Sequence, residues 1–211
     1  MQCGMYCTCD LMEPILETFG IRHLSGNDSL EDLTSMLHRA FSPLGHQGIG
    51  CTCFNQDVAV TAKRVALGEC FVATRDGRIV GTLTMHLPDK QSECHWYRQA
   101  DVASLHQFAV EPAYQGAGCG VSLLGFATQW AVAHGFHGLA LDTPLPAIHL
   151  INFYEVQGFR KVERVRFPGK GYASCILSKT VSVSKTESKP EPKQQKLFRN
   201  PQPVTGQALL P

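Results

Sequence analysis

Six consecutive residues, Gln115-Gly116-Ala117-Gly118-Cys119-Gly120, carry the clearest chemistry in this 211-residue chain. They follow a strand-like run at 105–110 that Glu111-Pro112 closes, and they precede Val121, Leu124, Phe126, Ala127 and Ala131 at helical spacing. A helix starting near Gly118 and Cys119 has first-turn N–H groups that no internal acceptor satisfies, and its macrodipole adds partial positive charge there. Glycines let the backbone adopt positive φ and approach a ligand closely. Strand, glycine loop and helix in this order therefore bind an anion, and a phosphate-bearing cofactor is the expected ligand.

Spacing narrows the choice. A P-loop needs Lys followed by Ser or Thr after its last glycine, whereas Gly120 is followed by Val121-Ser122. A dinucleotide fingerprint needs G-x-G-x-x-G directly after the strand, and Gly116-Ala117-Gly118-Cys119-Gly120-Val121 does not supply it. Gln115-x-x-Gly118-x-Gly120 after an A-V-x-P strand end resembles the acyl-CoA signature of the GNAT N-acetyltransferase superfamily.

The elements that must position this loop read as follows. Residues 18–24 form a first strand, and Ser29 caps a helix over 30–40 with Leu30, Leu33, Met36, Leu37 and Ala40 on its apolar face. Residues 42–53 are glycine-rich and irregular, and a second helix spans about 56–66. Alternating runs at 70–74 and 78–85 flank Asp76-Gly77, a strong hairpin signal. The long polar connection 86–101 holds His95, Trp96, Tyr97 and Arg98, which either wall a substrate or pack on themselves. Residues 138–142 form a short strand. Thr143 then caps a helix with Pro144 and Pro146 in its first turn, running to Gln157 and ending at Gly158. Residues 159–167 and 172–179 close the domain as an antiparallel pair across Pro168-Gly169.

A second motif, Tyr154 to Phe159 within FYEVQGFRKV, is similar to the Y-x-x-x-G-F of the fourth GNAT helix, and 71–84 looks like the second and third GNAT strands. The resemblance spans residues 18–179. It implies a mixed α/β domain of the GNAT fold, a mostly antiparallel sheet of about seven strands with about four helices. It implies acetyl-CoA as co-substrate and direct transfer to an amine. It further implies that Gln115, Gly116, Ala117, Gly118, Cys119 and Gly120 hold the pyrophosphate through their backbone. Phe108, Ala109 and Val110 would pair with the pantetheine arm, which in this family enters a gap between splayed fourth and fifth strands. Cys119 would fill its place without acting as a nucleophile, although a helix N-terminus lowers a thiol pKa.

Two residues match catalytic positions of the family. Tyr154 matches the tyrosine that protonates the departing thiolate, and a phenol with pKa near 10 can donate to a thiolate whose acid has pKa roughly 8–9. His106 stands where the serotonin N-acetyltransferase branch has a strand histidine; an imidazole of pKa about 6.5 would be the base, giving a rate limb near pH 6–7. Strict alternation puts Ser104, His106, Phe108 and Val110 on one face and Leu105, Gln107 and Ala109 on the other. Glu111 is the alternative base. Ala147 departs from the family, which often has an asparagine there; Asn152 cannot replace it, because it faces away from Tyr154 on a helix.

Composition bounds the rest. Hydrophobic residues make up 44% and charged residues 18%, with a net charge of +1. No run approaches the roughly 18 apolar residues of a membrane span, and the start lacks a basic, apolar secretory signal. Nine cysteines in such a chain fit a reduced cytoplasmic protein. Cys3, Cys7, Cys9, Cys51 and Cys53 lack paired C-x2-C knuckles, so no metal is expected. Residues 1–17 read as an N-terminal extension. Residues 180–211 read as a Pro-rich tail, basic through Lys185, Lys189, Lys193, Lys196 and Arg199 against Glu187 and Glu191, without a compact fold of its own. A solvated tail is favoured over nucleic-acid binding. The acceptor is an amine, small-molecule or peptide, with the small molecule favoured, and the oligomeric state stays open. The competing class is a GNAT-like module that binds acyl-CoA and regulates without turnover.

Overall fold

A seven-stranded sheet in the order β1-β2-β3-β4-β5-β7-β6 organises the chain. In the computed structural model, residues 19–182 are described. The expected extension 1–17, Cys3, Cys7 and Cys9, and the tail beyond residue 182 lie outside the described residues. The strands are β1 (Gly20–His23), β2 (Glu69–Arg75), β3 (Arg78–His86), β4 (Val102–Val110), β5 (Gly138–Pro144), β6 (Arg160–Val165) and β7 (Ser174–Thr180). All neighbours are antiparallel except β4 and β5. A parallel pair needs a crossover, and α3 (Cys119–Ala133) supplies it. The other helices are α1 (Leu30–His46), α2 (Val58–Val65) and α4 (Ile148–Val156).

The Asp76-Gly77 hairpin forms as the sequence predicts, with positive φ at both residues. One face of the sheet carries the main core, in which Leu123, Leu124 and Ala127 of α3 and Ile151 and Tyr154 of α4 pack with Leu83, Leu105, Leu139, Leu141 and Leu177. Against the other face, α1 sets Leu33, Met36 and Leu37 beside Ala109 and Cys53. Val181, just past β7, is buried in the main core, and its N–H donates to the His137 carbonyl at 2.8 Å.

Two helices differ from their sequence reading. α1 continues through Pro43 to His46, where composition predicted irregular chain from residue 42. Proline inside a helix removes one hydrogen bond, but Leu44 is buried with Ile49, Cys51 and Ala147, and that packing holds the last turn. Gly45 permits it as well, because a Cβ there would collide with the Phe54 ring. The fourth helix begins late. Thr143 and Pro144 belong to β5, paired with Cys175 and Ser174, and Ala147 rather than Thr143 is the N-cap of α4. Thr143 is an extended residue because β7 offers a ladder partner through Cys175. The end at Gly158 is as predicted, at φ 86°.

Leu37, on the inner face of α1, is fully buried. Leu37→Ala should lower unfolding free energy by about 2–5 kcal/mol, read as a urea midpoint shift at constant slope.

Candidate active site

The glycine stretch forms an N–H cradle at the start of α3. Gly118 is the N-cap, in the left-handed region at φ 90°, and Gly116 has φ 80°. The first helical bond runs from Ser122 N–H to the Gly118 carbonyl at 2.9 Å, which leaves the N–H groups of Cys119, Gly120 and Val121 without an intrahelical acceptor. A Cβ on Gly118 would meet nothing within 4 Å, so the space beside the cradle is open. The Gln115 side chain braces the loop, since its N–H donates to the Val110 carbonyl at 3.0 Å and ties the turn to the end of β4. Ala117 N–H is bonded to the Tyr114 carbonyl, and Ala117 does not line the cavity described below. The Cys119 thiol is wholly buried, and burial pushes its pKa up to about 11, so desolvation overrides the helix-terminus effect.

Beyond the cradle, β4 and β5 part. Their pairing runs from Val102↔Gly138 to Leu105↔Leu141 and stops, although β4 continues to Val110 and β5 to Pro144. A β-bulge drives the parting. Thr84 pairs with His106 and Thr82 with Ala109, so Gln107 and Phe108 together stand opposite Leu83, and Gln107 takes φ 46°. The bulge also overturns the expected strand parity. Ala109 packs toward α1, while Phe108 and Val110 pack toward α3 and α4 with Leu105; His106 therefore does not share a face with Phe108 and Val110.

The gap opens into a cavity of about 550 Å³. Gly116, Gly118, Gly120 and Val121 border it at the cradle, and β4 lines it from Leu105 to Val110. Asp142, Thr143 and Pro144 come from β5, His149, Leu150, Phe153 and Tyr154 from α4, and Ala40, Phe41, Pro43 and Leu44 from α1. Cys51, Thr52, Cys53, Arg64, Lys170 and Tyr172 complete the wall. Of the sequence-predicted site residues, His106, Phe108, Ala109, Val110, Gln115, Gly116, Gly118, Gly120 and Tyr154 meet here; the side chains of Ala117 and Cys119 do not.

Tyr154 lies among the Phe108, Phe153 and Phe159 rings. Its hydroxyl makes no hydrogen bond among the described residues, and burial, then the Asp142 charge, holds its pKa above the ordinary phenol value. His106 stacks on His86 with centroids 4.1 Å apart, and its Nε2 is 2.9 Å from Ser104 Oγ. Burial, then the neighbouring His86, moves His106 far below the usual imidazole range, so it is neutral at physiological pH. Near Leu105, Gln107 is only 6% exposed and Thr143 2%; neither Gln107 amide atom nor Thr143 Oγ1 has a hydrogen-bond partner among the described residues. Buried polar atoms are rarely left so, and these border the gap where a polar chain would lie.

Sequence reasoning missed Asp142, Lys170 and Arg64. Asp142 accepts from Lys170 Nζ at 2.7 Å and Ser174 Oγ at 2.8 Å, with the Tyr97 hydroxyl at 3.4 Å. Burial alone would raise its carboxyl; Lys170 outweighs that and holds it ionised below the usual range. Nothing local marks Asp142 in a short strand, although a carboxylate in a run otherwise apolar was the available signal. Glu111, the alternative base, is held by Arg39 Nε and Nη2 at 2.7 to 3.0 Å and is outside the cavity. The 86–101 connection supplies Tyr97 as a buried prop, its ring 5.3 Å from His106, and none of His95 to Arg98 lines this cavity. Ala147 is fully buried and Asn152 is exposed, as the helix geometry required. Cys51 and Cys53 are free buried thiols, the former raised to about 11 by burial.

A parallel strand pair that opens toward an N–H cradle, with a buried phenol beside the gap, defines a site built for an acyl thioester carried on a phosphate-bearing handle. The match of residues 35–159 to the Acetyltransferase (GNAT) family agrees, and the chain belongs to that family. Members use acetyl-CoA, and this protein is an acyltransferase. It is 26% identical over 154 residues to an S-(2-succino)cysteine N-acetyltransferase of Bacillus subtilis, covering 71% of this chain and 88% of that one. The fold is similar to the ribosomal-protein-S18-alanine N-acetyltransferase of Escherichia coli at TM-score 0.60 and 19% identity, covering 81% of this chain and 98% of that one. It is also similar to an acetyl-CoA-bound GNAT acetyltransferase from Elizabethkingia anophelis at TM-score 0.56 and 15% identity, covering 77% of this chain and 98% of that one. No helix among the described residues is long and apolar enough to cross a membrane.

Gly118→Asp should abolish acetyl-CoA binding in calorimetry, since a carboxylate beside the cradle repels phosphate and strains a residue at positive φ. His106 and His86 both titrate below 6.5, so the unfolded chain binds more protons than the folded one as pH falls past that value. Stability therefore rises with pH across this window. Melting temperature should drop below about pH 6.5, and His106→Gln should flatten that slope.

Proposed function

We propose that this protein is an N-acetyltransferase acting on a small amine, with Tyr154 as general acid and His106 as proton acceptor. The carrying observation is the gap between β4 and β5, which leads from the N–H cradle to a cavity lined by both residues. Acetyl-CoA, when bound, supplies an electrophilic thioester carbonyl and a thiolate leaving group. The cradle at Cys119, Gly120 and Val121 holds its phosphates, and the β4 edge at Phe108, Ala109 and Val110 takes the pantetheine arm. Gln107 and Thr143, the buried polar groups without partners, fit a chain rich in amides.

Tyr154 keeps its proton at every physiological pH, as a general acid must, and the Phe108, Phe153 and Phe159 rings pack around it at the cavity wall. His106 stays neutral and able to accept a proton, and the ionised Asp142 stabilises the imidazolium that results. A base of such low pKa does not deprotonate a free ammonium efficiently, so the amine enters largely neutral. The acceptor's own pKa, rather than an imidazole limb near 6–7, sets the pH profile.

A small acceptor is favoured because the cavity is about 550 Å³ and is bordered by α1, Arg64 of α2 and Tyr172. The Bacillus subtilis relative, named for S-(2-succino)cysteine, takes a small amine too. A non-catalytic acyl-CoA-binding module is disfavoured, since it has no use for a buried, unpaired phenol beside the gap. The six described cysteines are all free thiols, which supports a cytoplasmic location. We take the domain as residues 18–179, with 1–17 and the tail as appendages, although the core reaches just past that boundary to Val181.

Tyr154→Phe should leave acetyl-CoA affinity intact and reduce kcat by ~10²–10⁴-fold, followed as free thiol release. Equal turnover by the variant would remove Tyr154 from the acid role. For wild type, kcat/KM should rise with pH until the acceptor amine is neutral; a plateau already reached by pH ~7 would restore the imidazole limb.

A further inference from the structure

Arg64 is the one cationic side chain lining the cavity that no carboxylate neutralises among the described residues. Lys170, the other, is engaged by Asp142 at 2.7 Å. Arg64 Nη1 donates to Gln56 Oε1 at 2.8 Å and to Cys53 Sγ at 3.1 Å, neither of them charged in this setting. Burial raises the Cys53 thiol, which keeps it protonated. The Asp142–Lys170 pair cancels, so the Arg64 charge stands uncompensated on the wall.

That charge is held in place by a buried polar chain. Gln56, 5% exposed, presents Oε1 to Arg64, and its Nε2 donates to Thr61 Oγ1 at 2.7 Å. Thr34 Oγ1 lies 2.7 Å from Thr61 Oγ1, and His38 Nε2 is 2.7 Å from the Gln56 carbonyl. Burying such a network is costly unless every member is satisfied, and here each is. The chain joins α1 to α2, and its end is a guanidinium fixed at the cavity wall. A site-forming group is usually held by such supporting bonds.

The side of the cavity is settled by its neighbours. Arg64 comes from α2, with Nη1 3.1 Å from Cys53 Sγ, whereas the phosphate cradle is at the start of α3. Lining the cavity from a different element than the cradle, Arg64 is assigned to the acceptor and not to the handle of the donor.

We propose that Arg64 is the specificity residue for the acceptor, that it binds a carboxylate, and that the substrate is a small amine bearing one, as an amino acid does. This rests on the N-acetyltransferase reading above. A planar guanidinium matches a carboxylate through two parallel N–H donors. The excess positive charge disfavours polyamines and other polycations, which would add like charge to a partly buried site.

The test compares S-carboxymethyl-L-cysteine with S-carbamidomethyl-L-cysteinamide, a counterpart of nearly equal size in which both carboxylates are replaced by uncharged carboxamides. Wild type, Arg64→Gln and Arg64→Lys are assayed for kcat and KM, for acetyl-CoA affinity and for calorimetric binding of the N-acetylated acid. Arg64→Gln should raise KM for the acid by roughly 10–100-fold, leaving its kcat and the amide's KM nearly unchanged. Arg64→Lys should recover part of the loss. Taking the acid-to-amide ratio across variants cancels the difference in amine pKa. Equal effects on acid and amide would overturn the proposal, and so would a rise in acetyl-CoA Kd in Arg64→Gln. If wild type turned over neither amine, the N-acetyltransferase reading would fail; binding of the N-acetylated acid would still decide the role of Arg64, supporting it if lost in Arg64→Gln and refuting it if unchanged.

Discussion

The parting of β4 from β5 is the constraint on which the site depends. β5 is fixed along its whole length by β7, from Gly138↔Thr180 to Pro144↔Ser174, so it cannot follow β4. β4 is fixed by β3, but the extra residue at Gln107 bends it away. The two strands hold together through Leu105↔Leu141 and then separate. Their backbone edges beyond that point face a cavity and not each other. Within a sheet this is an unusual exposure of ladder groups, and a peptide-like chain is what satisfies it.

The gap is supported on both faces. Above it, α3 and α4 bring apolar side chains to the main core, and Gly120 lets Phe108 and Phe153 lie within 3.5 Å of where a Cβ would stand. Below it, α1 carries an apolar face to Ala109, and the Arg39–Glu111 pair ties its middle to the end of β4. Both strands are braced near the point where they separate. The site is consequently a product of sheet architecture, with side chains added to it.

Electrostatics then sorts the cavity. Asp142, Lys170, Ser174 and Tyr97 make a satisfied, ionised cluster behind the gap, while His106 is pushed neutral by burial and then His86, and burial and then Arg64 lower His86. Within that cluster the Asp142 carboxylate favours the protonated form of His106 and Lys170 opposes it. Tyr154 keeps its proton on the other side of the sheet's gap. The proposed acid and the proposed proton acceptor thus both border the cavity, each in the protonation state its role requires.

The glycine loop, the Y-x-x-x-G-F ending, the hairpin at Asp76-Gly77 and the strand–helix order were legible in the sequence because each is local: a turn's φ, a helix terminus and an apolar period are decided by residues a few positions apart. The cofactor class followed from them. Tertiary structure alone decided the bulge at Gln107, since a strand's parity holds until a partner strand breaks it, and so His106 and Phe108 face apart. It decided that Glu111 is held by Arg39, that α1 runs through Pro43 because Leu44 is buried, and that Thr143 extends because Cys175 lies beside it. It alone brought Asp142, Lys170 and Arg64 together from β5, from the connection ahead of β7 and from α2. Those residues are far apart in the chain, and only a fold that closes over one cavity makes them neighbours.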